Sequence, residues 1–291
     1  MRQFIVEKNQ IKNGLIQLEG KDYRYFRQVL RVRAGDMVSV RLPDGNLSNA
    51  TVAKIDEALR CLTLQLCAET GKTITRGVQA EELTGDSASV NGALMVEYWL
   101  FQFLPRPQKF EQIVKQATEC GVSVIVPVIG EYTEKSSAEA LRGSKKERLE
   151  RIIKEARQQS GSPVNTRVTE TMTLEQAINL WKSGFDTSAS QTLKHRNVAF
   201  VLSERDDCDD NLRTTVEKTG GLEEIKKAAI AVGSEGGISP DEVRLLEEKG
   251  LFVPIHFAVN ILRCETAALY GIAAVQCEIN QSNRLPGQAG Q

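Results

Sequence analysis

Residues 231–242 read AVGSEGGISPDE and join three local signals in one segment. The apolar residues that lead into Gly233 predict a buried strand, and the glycines predict a tight turn at which the backbone can come close to a ligand. Ser239, Pro240 and Glu242 have the spacing of a helix start, with serine as N-cap, proline at the first helical position and glutamate at the third. The segment therefore predicts a strand, a turn and a helix, the repeating unit of an α/β fold.

Apolar strands and helices alternate on both sides of this segment. We predict strands at 94–103, 122–128, 198–202, 228–232 and 251–257, and helices at 109–120, 144–160 and 265–277. Short, continuous apolar strands between helices are typical of a parallel sheet covered on both faces. The sequence thus predicts an α/β domain over residues 94–280. Polar loops and a flexible tail are predicted at 183–196, 205–220 and 281–291.

The first quarter of the chain has a different pattern, in which short strands and turns follow one another. Strands are predicted at 4–6, 14–18, 37–40, 50–55 and 62–66, with a Pro-Asp-Gly turn at 43–45 and a helix at 23–30. The apolar side of that helix is predicted to consist of Tyr23, Phe26, Val29 and Leu30. Alternating strands at this spacing favour a small β-barrel at residues 1–72. Residues 73–93, rich in small and polar residues, are predicted to be a linker with an irregular insertion.

The composition excludes several classes of protein. A hydrophobic fraction of 41% and a charged fraction of 26% fit a globular chain rather than a disordered one. No apolar run approaches the length of a membrane span, and the start MRQFIVEKNQ lacks the apolar core of a signal peptide. Six cysteines without a CxxC pair and only two histidines predict no metal site, no disulfide framework and a cytoplasmic location.

Charge is distributed unevenly along the chain, although its formal net value is −1. Residues 1–75 carry an excess of basic side chains, and the remainder carries an excess of acidic ones. A basic N-terminal part followed by an acidic remainder suits a protein that contacts phosphate through its N-terminal part. Ordinary variation of surface charge explains so small an excess equally well. In the helix at 109–120, Glu111 and Lys115 have the spacing of a stabilising pair.

A second segment, residues 260–268, reads NILRCETAA and leads into the last predicted helix. Arg263 and Glu265 lie in an apolar region and must be paired, exposed to solvent or functional. An ordinary salt bridge and a functional role are about equally well supported, and a glycine cluster by itself is more often only a structural turn. Both segments follow predicted strands, as Ser203 does. Ligands of parallel sheets bind at the carboxyl ends of the strands, so we expect these segments to converge.

The order of the segments resembles that of one known family. KFEQIVKQATECGVSVIVPV, ERLERIIKEARQQSG, AVGSEGGISPDEV and NILRCETAALYGIAAVQ follow a barrel that contains YFRQVLRVRAGD. This closely resembles the bacterial ribosomal RNA methyltransferases of the SPOUT superfamily that modify N3 of a uridine in 16S RNA. The resemblance covers nearly the whole chain, apart from the stretch near 77–93, two loops and the tail. It implies a PUA-like barrel followed by an α/β domain whose C-terminal segment forms a trefoil knot, a rare feature in proteins.

The resemblance also implies a cofactor, partners and site residues. It implies S-adenosylmethionine as cofactor, a homodimer with the site near the subunit interface, and 16S ribosomal RNA or the small ribosomal subunit as partner. Carried over by position, the cofactor pocket consists of Leu202, Ser203, Gly233, Ser234, Glu235, Gly236, Ile255, Ile261, Leu262 and Thr266. Our hypothesis is that Arg263 stabilises negative charge on the uracil or anchors a phosphate, with Glu265 orienting it. The RNA-binding candidates are Lys21, Arg24, Arg27, Arg31, Arg33, Arg41 and Arg106.

The chain departs from the family pattern at several positions, and two other functions stay open. The departures are Arg106 for Lys, Ser162 for Arg, Ser234 for Pro, Ala258 for Gly and Asn260 for Arg. Ser234, Ala258 and Asn260 support an RNA-binding ribosome-assembly factor of the same fold that has lost catalysis. The other alternative is a nucleotide-phosphate enzyme that uses the glycine turn, but the anion of Glu235 within that turn would repel phosphate.

Overall fold

A computed structural model describes most of the chain. The described residues are 3–12, 14–67, 89–90, 93–94, 96–134, 136–137, 145–183, 196–203, 212–213, 225–257 and 260–282. The chain divides into two compact units, one of residues 1–93 with 157–163, and one of residues 94–156 with 164–291. Ala258 lies outside the described residues, as do nearly all of the predicted linker, the two predicted polar loops and the predicted tail.

The first unit is built on a six-stranded sheet. Its strands are β1 (Phe4–Ile5), β2 (Ile11–Lys12), β3 (Leu15–Leu18), β4 (Met37–Arg41), β5 (Leu47–Asp56) and β6 (Cys61–Leu66), and the predicted strands are all present. Their order is β1-β4-β5-β6-β3-β2, antiparallel except for the parallel pair of β1 and β4. The path is open among the described residues, so hydrogen bonds do not join its two edge strands into a closed barrel.

A helix crosses from β3 to β4 and changes its winding on the way. It begins as α1 (Gly20–Arg24) and continues as a π-helix over Tyr25–Leu30, which ends at Arg31 with a left-handed φ of 55°. Tyr23 and Phe26 are buried as predicted, but Val29 is 57% exposed and its predicted burial is wrong. The wider winding of a π-helix turns Val29 away from the face that it would share with Phe26 in an α-helix.

The second unit contains a parallel sheet, which confirms the predicted α/β class. Its strands are β9 (Glu97–Phe103), β10 (Val124–Ile129), β11 (Arg167–Val168), β12 (Met172–Thr173), β13 (Arg196–Leu202), β14 (Ile225–Val232) and β15 (Val253–Ile255). Their order is β11-β10-β9-β14-β13-β15, with β12 also pairing with β10, and every pair is parallel. Two further strands, β7 (Ser89–Val90) and β8 (Ala93–Leu94), lie where the first unit ends along the chain, and they pair only with each other among the described residues.

Helices cover both faces of this sheet. They are α2 (Pro107–Glu119), α3 (Lys145–Ser160), α4 (Leu174–Ser183), α5 (Pro240–Gly250) and α6 (Cys264–Ser282). Buried side chains of α2, α3 and α6 share one core with the sheet, and those of α4 and α5 share a second core on its other face. Helix α4 was not predicted from the sequence, and α6 runs further than predicted. In the second core, Phe101 meets Trp181 and Phe252 edge-on, a geometry that favours aromatic pairs.

The parallel arrangement brings four chain segments to one edge of the sheet. The adjacent strands β9, β14, β13 and β15 end at Phe103, Val232, Leu202 and Ile255. The residues that follow them therefore meet at the edge where α/β proteins bind ligands. In the described part of the chain, no helix combines the length and the apolar character that crossing a bilayer requires.

Candidate cofactor site

The glycine turn, residues 233–237, follows β14 and folds back on itself. A Cβ atom at Gly233 would lie 2.6 Å from the carbonyl carbon of Gly237, so this position has no room for a side chain. Gly237 has a φ of +79°, a conformation that other residues adopt at a cost. Ser234 is buried, its carbonyl accepts the N–H of Gly237 at 3.0 Å, and its hydroxyl accepts the N–H of Gly236. Ser234 thus helps to close the turn.

The helix after this turn begins as predicted. The hydroxyl of Ser239 accepts the backbone N–H of Glu242, and the carboxylate of Glu242 accepts the N–H of Ser239. The second oxygen of Glu242 accepts the N–H of Glu131 at 2.7 Å. The capping box therefore also fastens the loop that follows β10 to the start of α5.

The arginine turn, residues 260–266, follows β15 and includes the start of α6. Ile261 is 83% exposed, Arg263 is exposed, and Leu262 is half-buried. The carbonyl of Arg263 accepts the N–H of Ala267 at 2.7 Å, so the arginine backbone belongs to the helix start. Glu265 forms no hydrogen bond or ion pair with Arg263 in the described structure, contrary to the predicted role of orienting it. Its carboxylate lies 3.3 Å from the ammonium nitrogen of Lys109 instead.

Lys109, in the first turn of α2, joins the two turns. Its Nζ atom lies 3.3 Å from Glu265, 3.7 Å from Glu235 and 4.0 Å from the sulfur of Cys264. The backbone N–H of Arg106 also donates to Glu235, at 3.2 Å. The glycine turn and the start of α6 are thus held side by side, at the amino end of α2.

This cluster shifts the pKa values of its members. Burial opposes protonation of Lys109, but the hydrogen bond to Glu265 and the neighbouring negative charges outweigh it and raise the pKa of Lys109. Burial opposes ionisation of Glu265, but its own backbone N–H, the Cys264 thiol and Lys109 together lower its pKa. Burial, helped by the hydrogen bond to Glu265, raises the pKa of Cys264 to about 12. Around neutral pH, Lys109 and Glu265 are therefore charged, and Cys264 is a neutral thiol.

Gln102 supports the glycine turn from within the sheet. It is fully buried near the end of β9, and its amide nitrogen donates to the carbonyls of Phe103, Val232 and Gly233. These three acceptors fix the orientation of the amide, because a flipped amide would face them with its oxygen. The side-chain oxygen of Gln102 has no hydrogen-bond partner among the described residues.

The remaining predicted pocket residues lie at the same edge. The N–H of Ser203 donates to the carbonyl of Ile255, which is buried, and the carbonyl of Ser203 lies 3.2 Å from Nδ1 of His256. A Cβ atom at Gly271 of α6 would lie 3.0 Å from the side chain of Leu202. Thr266 is exposed. The chain segments that end β13 and β15 are therefore hydrogen-bonded to each other, and α6 packs closely against the end of β13.

The predicted RNA-binding residues divide by environment. Lys21, Arg24, Arg31 and Arg33 are exposed, whereas Arg27 pairs with Glu57 at 2.8 Å. Arg41 is only 7% exposed and donates to the side chain of Gln3 and the carbonyl of Gly45, and burial lowers its pKa. The prediction that Arg41 binds RNA is therefore wrong, because its guanidinium is buried and hydrogen-bonded within the first unit.

The structure corrects one predicted ion pair and shows where two residues that depart from the family pattern lie. Glu111 forms a two-pronged ion pair with Arg148 of α3, at 2.6 and 2.7 Å, rather than the predicted pair with Lys115. Ser162 is buried, and its carbonyl accepts the side-chain amide of Gln3 within the first unit. Arg106 is exposed and pairs with Glu134 at 3.2 Å.

Three residues of this edge were not predicted from the sequence: Lys109, Gln102 and Tyr132, the last of which lies in the loop after β10 and packs against Gly236. Each of them lies at the end of a predicted strand, just after one, or at the start of a predicted helix. Their only indication in the sequence was therefore that such positions lie at the edge of a parallel sheet. Their partners lie far along the chain, and spacing within a helix or strand does not report such contacts.

Comparison with known proteins places the second unit in a known group. A family model described as an RNA methyltransferase domain matches residues 93–276. A Bacillus subtilis protein named ribosomal RNA small subunit methyltransferase E is 22% identical over 280 residues, covering 94% of this chain and 96% of the relative. Ribosomal RNA small subunit methyltransferase E 2 of Borreliella burgdorferi is 25% identical over 290 residues, covering 97% of this chain and 100% of the relative.

A solved structure shares the fold over nearly the whole chain. It is a ribosomal RNA small subunit methyltransferase E from Neisseria gonorrhoeae, solved with S-adenosyl methionine bound. It superposes with a TM-score of 0.68 at 21% identity, covering 95% of this chain and 97% of that one.

Proposed function

This chain belongs to the RNA methyltransferase domain family, and we propose that it transfers the methyl group of S-adenosylmethionine to N3 of a uridine in 16S ribosomal RNA. The observation that carries the proposal is the meeting of the glycine turn and the arginine turn at one edge of the parallel sheet, joined through Lys109. The names of the relatives and the order of the sequence motifs support the choice of the small-subunit RNA.

The residues at this edge fit the proposed cofactor. Gly233 and Gly236 allow the turn to pack closely against Gly237 and Tyr132, and the half-buried Leu202, whose strand partner Ile255 is buried, supplies apolar surface for a nucleoside. Ile261, in the arginine turn, is an exposed apolar side chain suited to covering an adenosine once it binds. We assign the adenosine and methionine parts to the backbone of Gly233, Gly236 and Leu262. The carboxylates of Glu235 and Glu265 also suit a donor whose sulfonium is positively charged.

The finer fold assignments belong to the same proposal. We take the first unit as PUA-like and the second as SPOUT-type, with a trefoil knot formed by the chain after β15. The parallel sheet, the close packing of α6 at Gly271 against Leu202, and the match to the family model support this assignment. We further propose that the protein is a cytoplasmic homodimer, with the site close to the subunit interface.

Bound S-adenosylmethionine supplies an electrophilic methyl group, so the protein has to align the uracil and stabilise the loss of its N3 proton. We assign stabilisation of the resulting negative charge on the ring oxygens to Arg263, which is exposed and forms no ion pair with a described residue. Cys264 is protonated, and Glu265 is held as a carboxylate by Lys109 and has a lowered pKa. Neither is suited to attack the donor or to take the proton, so we assign the N3 proton to water.

Capture of the RNA falls to the exposed cations of the first unit. Lys21, Arg24, Arg31 and Arg33 have no ion pair with a described residue and are free to meet phosphates. Each phosphate contact releases counterions, so affinity for RNA should fall steeply as salt rises. The target base has to be unpaired or turned out of its stack to reach the site.

Mass spectrometry of 16S RNA from cells with and without the gene tests the proposal. We expect one N3-methylated uridine that disappears with the gene, returns with the wild-type gene, and does not return with a gene that encodes Arg263→Ala. Unchanged RNA would contradict the proposal. An inactive assembly factor predicts unchanged methylation with a defect in ribosome assembly. A nucleotide-phosphate enzyme predicts that ATP displaces the methyl donor from the purified protein.

A further inference from the structure

Tyr132 lies over the glycine turn, in the loop that follows β10. A Cβ atom at Gly236 would lie 2.8 Å from Cβ of Tyr132 and 3.1 Å from Cγ, so the ring begins directly against the backbone of the turn. The side chain is nevertheless 46% exposed. An aromatic ring therefore stands in solvent at the rim of the candidate cofactor site.

The loop that carries Tyr132 is fastened at several points. The hydroxyl of Thr133 accepts the N–H of Gly130 at 2.9 Å, and the N–H of Thr133 donates to the carbonyl of Gly130 at 3.1 Å. The N–H of Glu131 donates to Glu242 of α5, and Glu134 pairs with Arg106 before α2. A ring that is held in place before a ligand arrives loses little conformational freedom on binding.

The surroundings of the ring suit a nucleotide. Arg106 lies beside the same loop, with 69% of its side chain exposed, and its pair with Glu134 is solvent-exposed and therefore weak. A phosphate that approaches this rim can replace Glu134 as the partner of the Arg106 guanidinium. An aromatic face with a cation beside it is the usual arrangement for an unstacked base and its backbone phosphate.

We infer that Tyr132 is the stacking surface for the target uracil, with Arg106 as the contact for the neighbouring phosphate. This inference rests on the proposed function and adds the residue that holds the substrate base. The exposed ring receives the base as it leaves the RNA stack and holds it next to the glycine turn. Tyr132 acts on the substrate, and its loss should leave binding of the methyl donor intact.

Two variants of Tyr132 distinguish stacking of the base on the ring from simple coverage of the glycine turn. Tyr132→Phe keeps the aromatic face, and Tyr132→Leu keeps an apolar cover over Gly236 but has no π face. The full-length proteins are titrated, with S-adenosylhomocysteine present to prevent turnover, against two synthetic fragments of 16S RNA. The fragments share the sequence around the methylated uridine, and one of them is abasic at that position.

The wild type and Tyr132→Phe should bind the uridine fragment about 5- to 150-fold more tightly than the abasic fragment, the range that base–aromatic stacking supplies. Tyr132→Leu should bind both fragments alike, and all three proteins should bind S-adenosylmethionine equally. Preference for the uridine fragment in Tyr132→Leu, or its absence in the wild type, would overturn the inference. So would a loss of donor affinity in Tyr132→Leu, which would assign the ring to the cofactor. A wild type that methylates no RNA would overturn the proposed function and this inference with it, whereas the other outcomes leave the proposed function standing.

Discussion

The ammonium nitrogen of Lys109 lies 3.3 Å from a carboxylate oxygen of Glu265, and through this pair helix α2 holds the start of α6 beside the glycine turn. Both side chains are largely shielded, with exposed fractions of 27% and 15%. Lys109 also reaches Glu235 of the glycine turn at 3.7 Å. One lysine therefore links the two chain segments that we assign to the methyl donor.

Replacing Lys109 should weaken donor binding. Lys109→Met leaves Glu235 and Glu265 without their shared cation, so the two turns repel each other, and we expect about 10-fold weaker binding of S-adenosylmethionine by calorimetry. Lys109→Arg should retain most of the affinity. Lys115→Met, an exposed lysine on the same helix, serves as control and should bind like the wild type. Equal affinities in Lys109→Met and Lys115→Met would refute the linking role.

The contribution of Glu265 to stability should depend on pH. Because its folded-state pKa lies below the ordinary value of 4.5, the carboxylate stabilises the fold above pH 4.5 and loses that contribution as the pH falls through the lowered pKa. The difference in free energy of unfolding between the wild type and Glu265→Gln, measured with denaturant, should be constant near neutral pH. It should shrink below about pH 4.5. A difference that grows on acidification would contradict the assigned pKa shift.

Cys264 should be unreactive in the folded protein. It is buried, and its pKa is raised to about 12, so almost none of it is the reactive thiolate at pH 8.5. Iodoacetamide should modify the exposed Cys67 and Cys277 in the native chain and spare Cys264, which should react after unfolding. Peptide mass spectrometry reads out each site. If Cys264 in the native chain were modified as fast as Cys67, the burial and the raised pKa of Cys264 would be contradicted.

Two glycines of the turn should respond differently to alanine. A methyl group at Gly233 meets the backbone of Gly237, so Gly233→Ala should lower the free energy of unfolding by about 1–3 kcal/mol and weaken donor binding. At Gly237 the space is open and only the φ of +79° is unfavourable, so Gly237→Ala should cost about 1 kcal/mol. Denaturant unfolding of both variants checks the order. The reverse order would mean that the turn is not as tight as the distances indicate.

Local patterns predicted the elements that build the site. The apolar residues of β14, the glycines after it and the spacing of Ser239 and Glu242 each report on a few neighbouring residues, and the structure has the strand, turn and capped helix in those places. The edge of the sheet followed from the parallel arrangement, because the carboxyl ends of parallel strands lie together.

The side-chain partners could not be predicted in the same way. Spacing favoured Glu111 with Lys115, but Arg148 arrives from another helix and offers two parallel hydrogen bonds. Spacing likewise suggested that Glu265 serves Arg263, whereas Lys109 of α2 takes the carboxylate. Arg41 counted as a surface cation in the sequence, but β4 turns it into the first unit. Such pairs depend on how distant elements pack, which a single sequence does not display.

Calorimetric titration of the purified full-length chain with S-adenosylmethionine tests the central claim most directly. The two turns should bind one donor per chain, with a dissociation constant no weaker than about 1 mM, the upper end of typical enzyme KM values. ATP should not displace the donor, and Gly233→Ala should abolish most of the heat. A titration of the wild type that cannot be told from dilution into buffer would contradict the claim that the glycine turn and the arginine turn clasp a methyl donor.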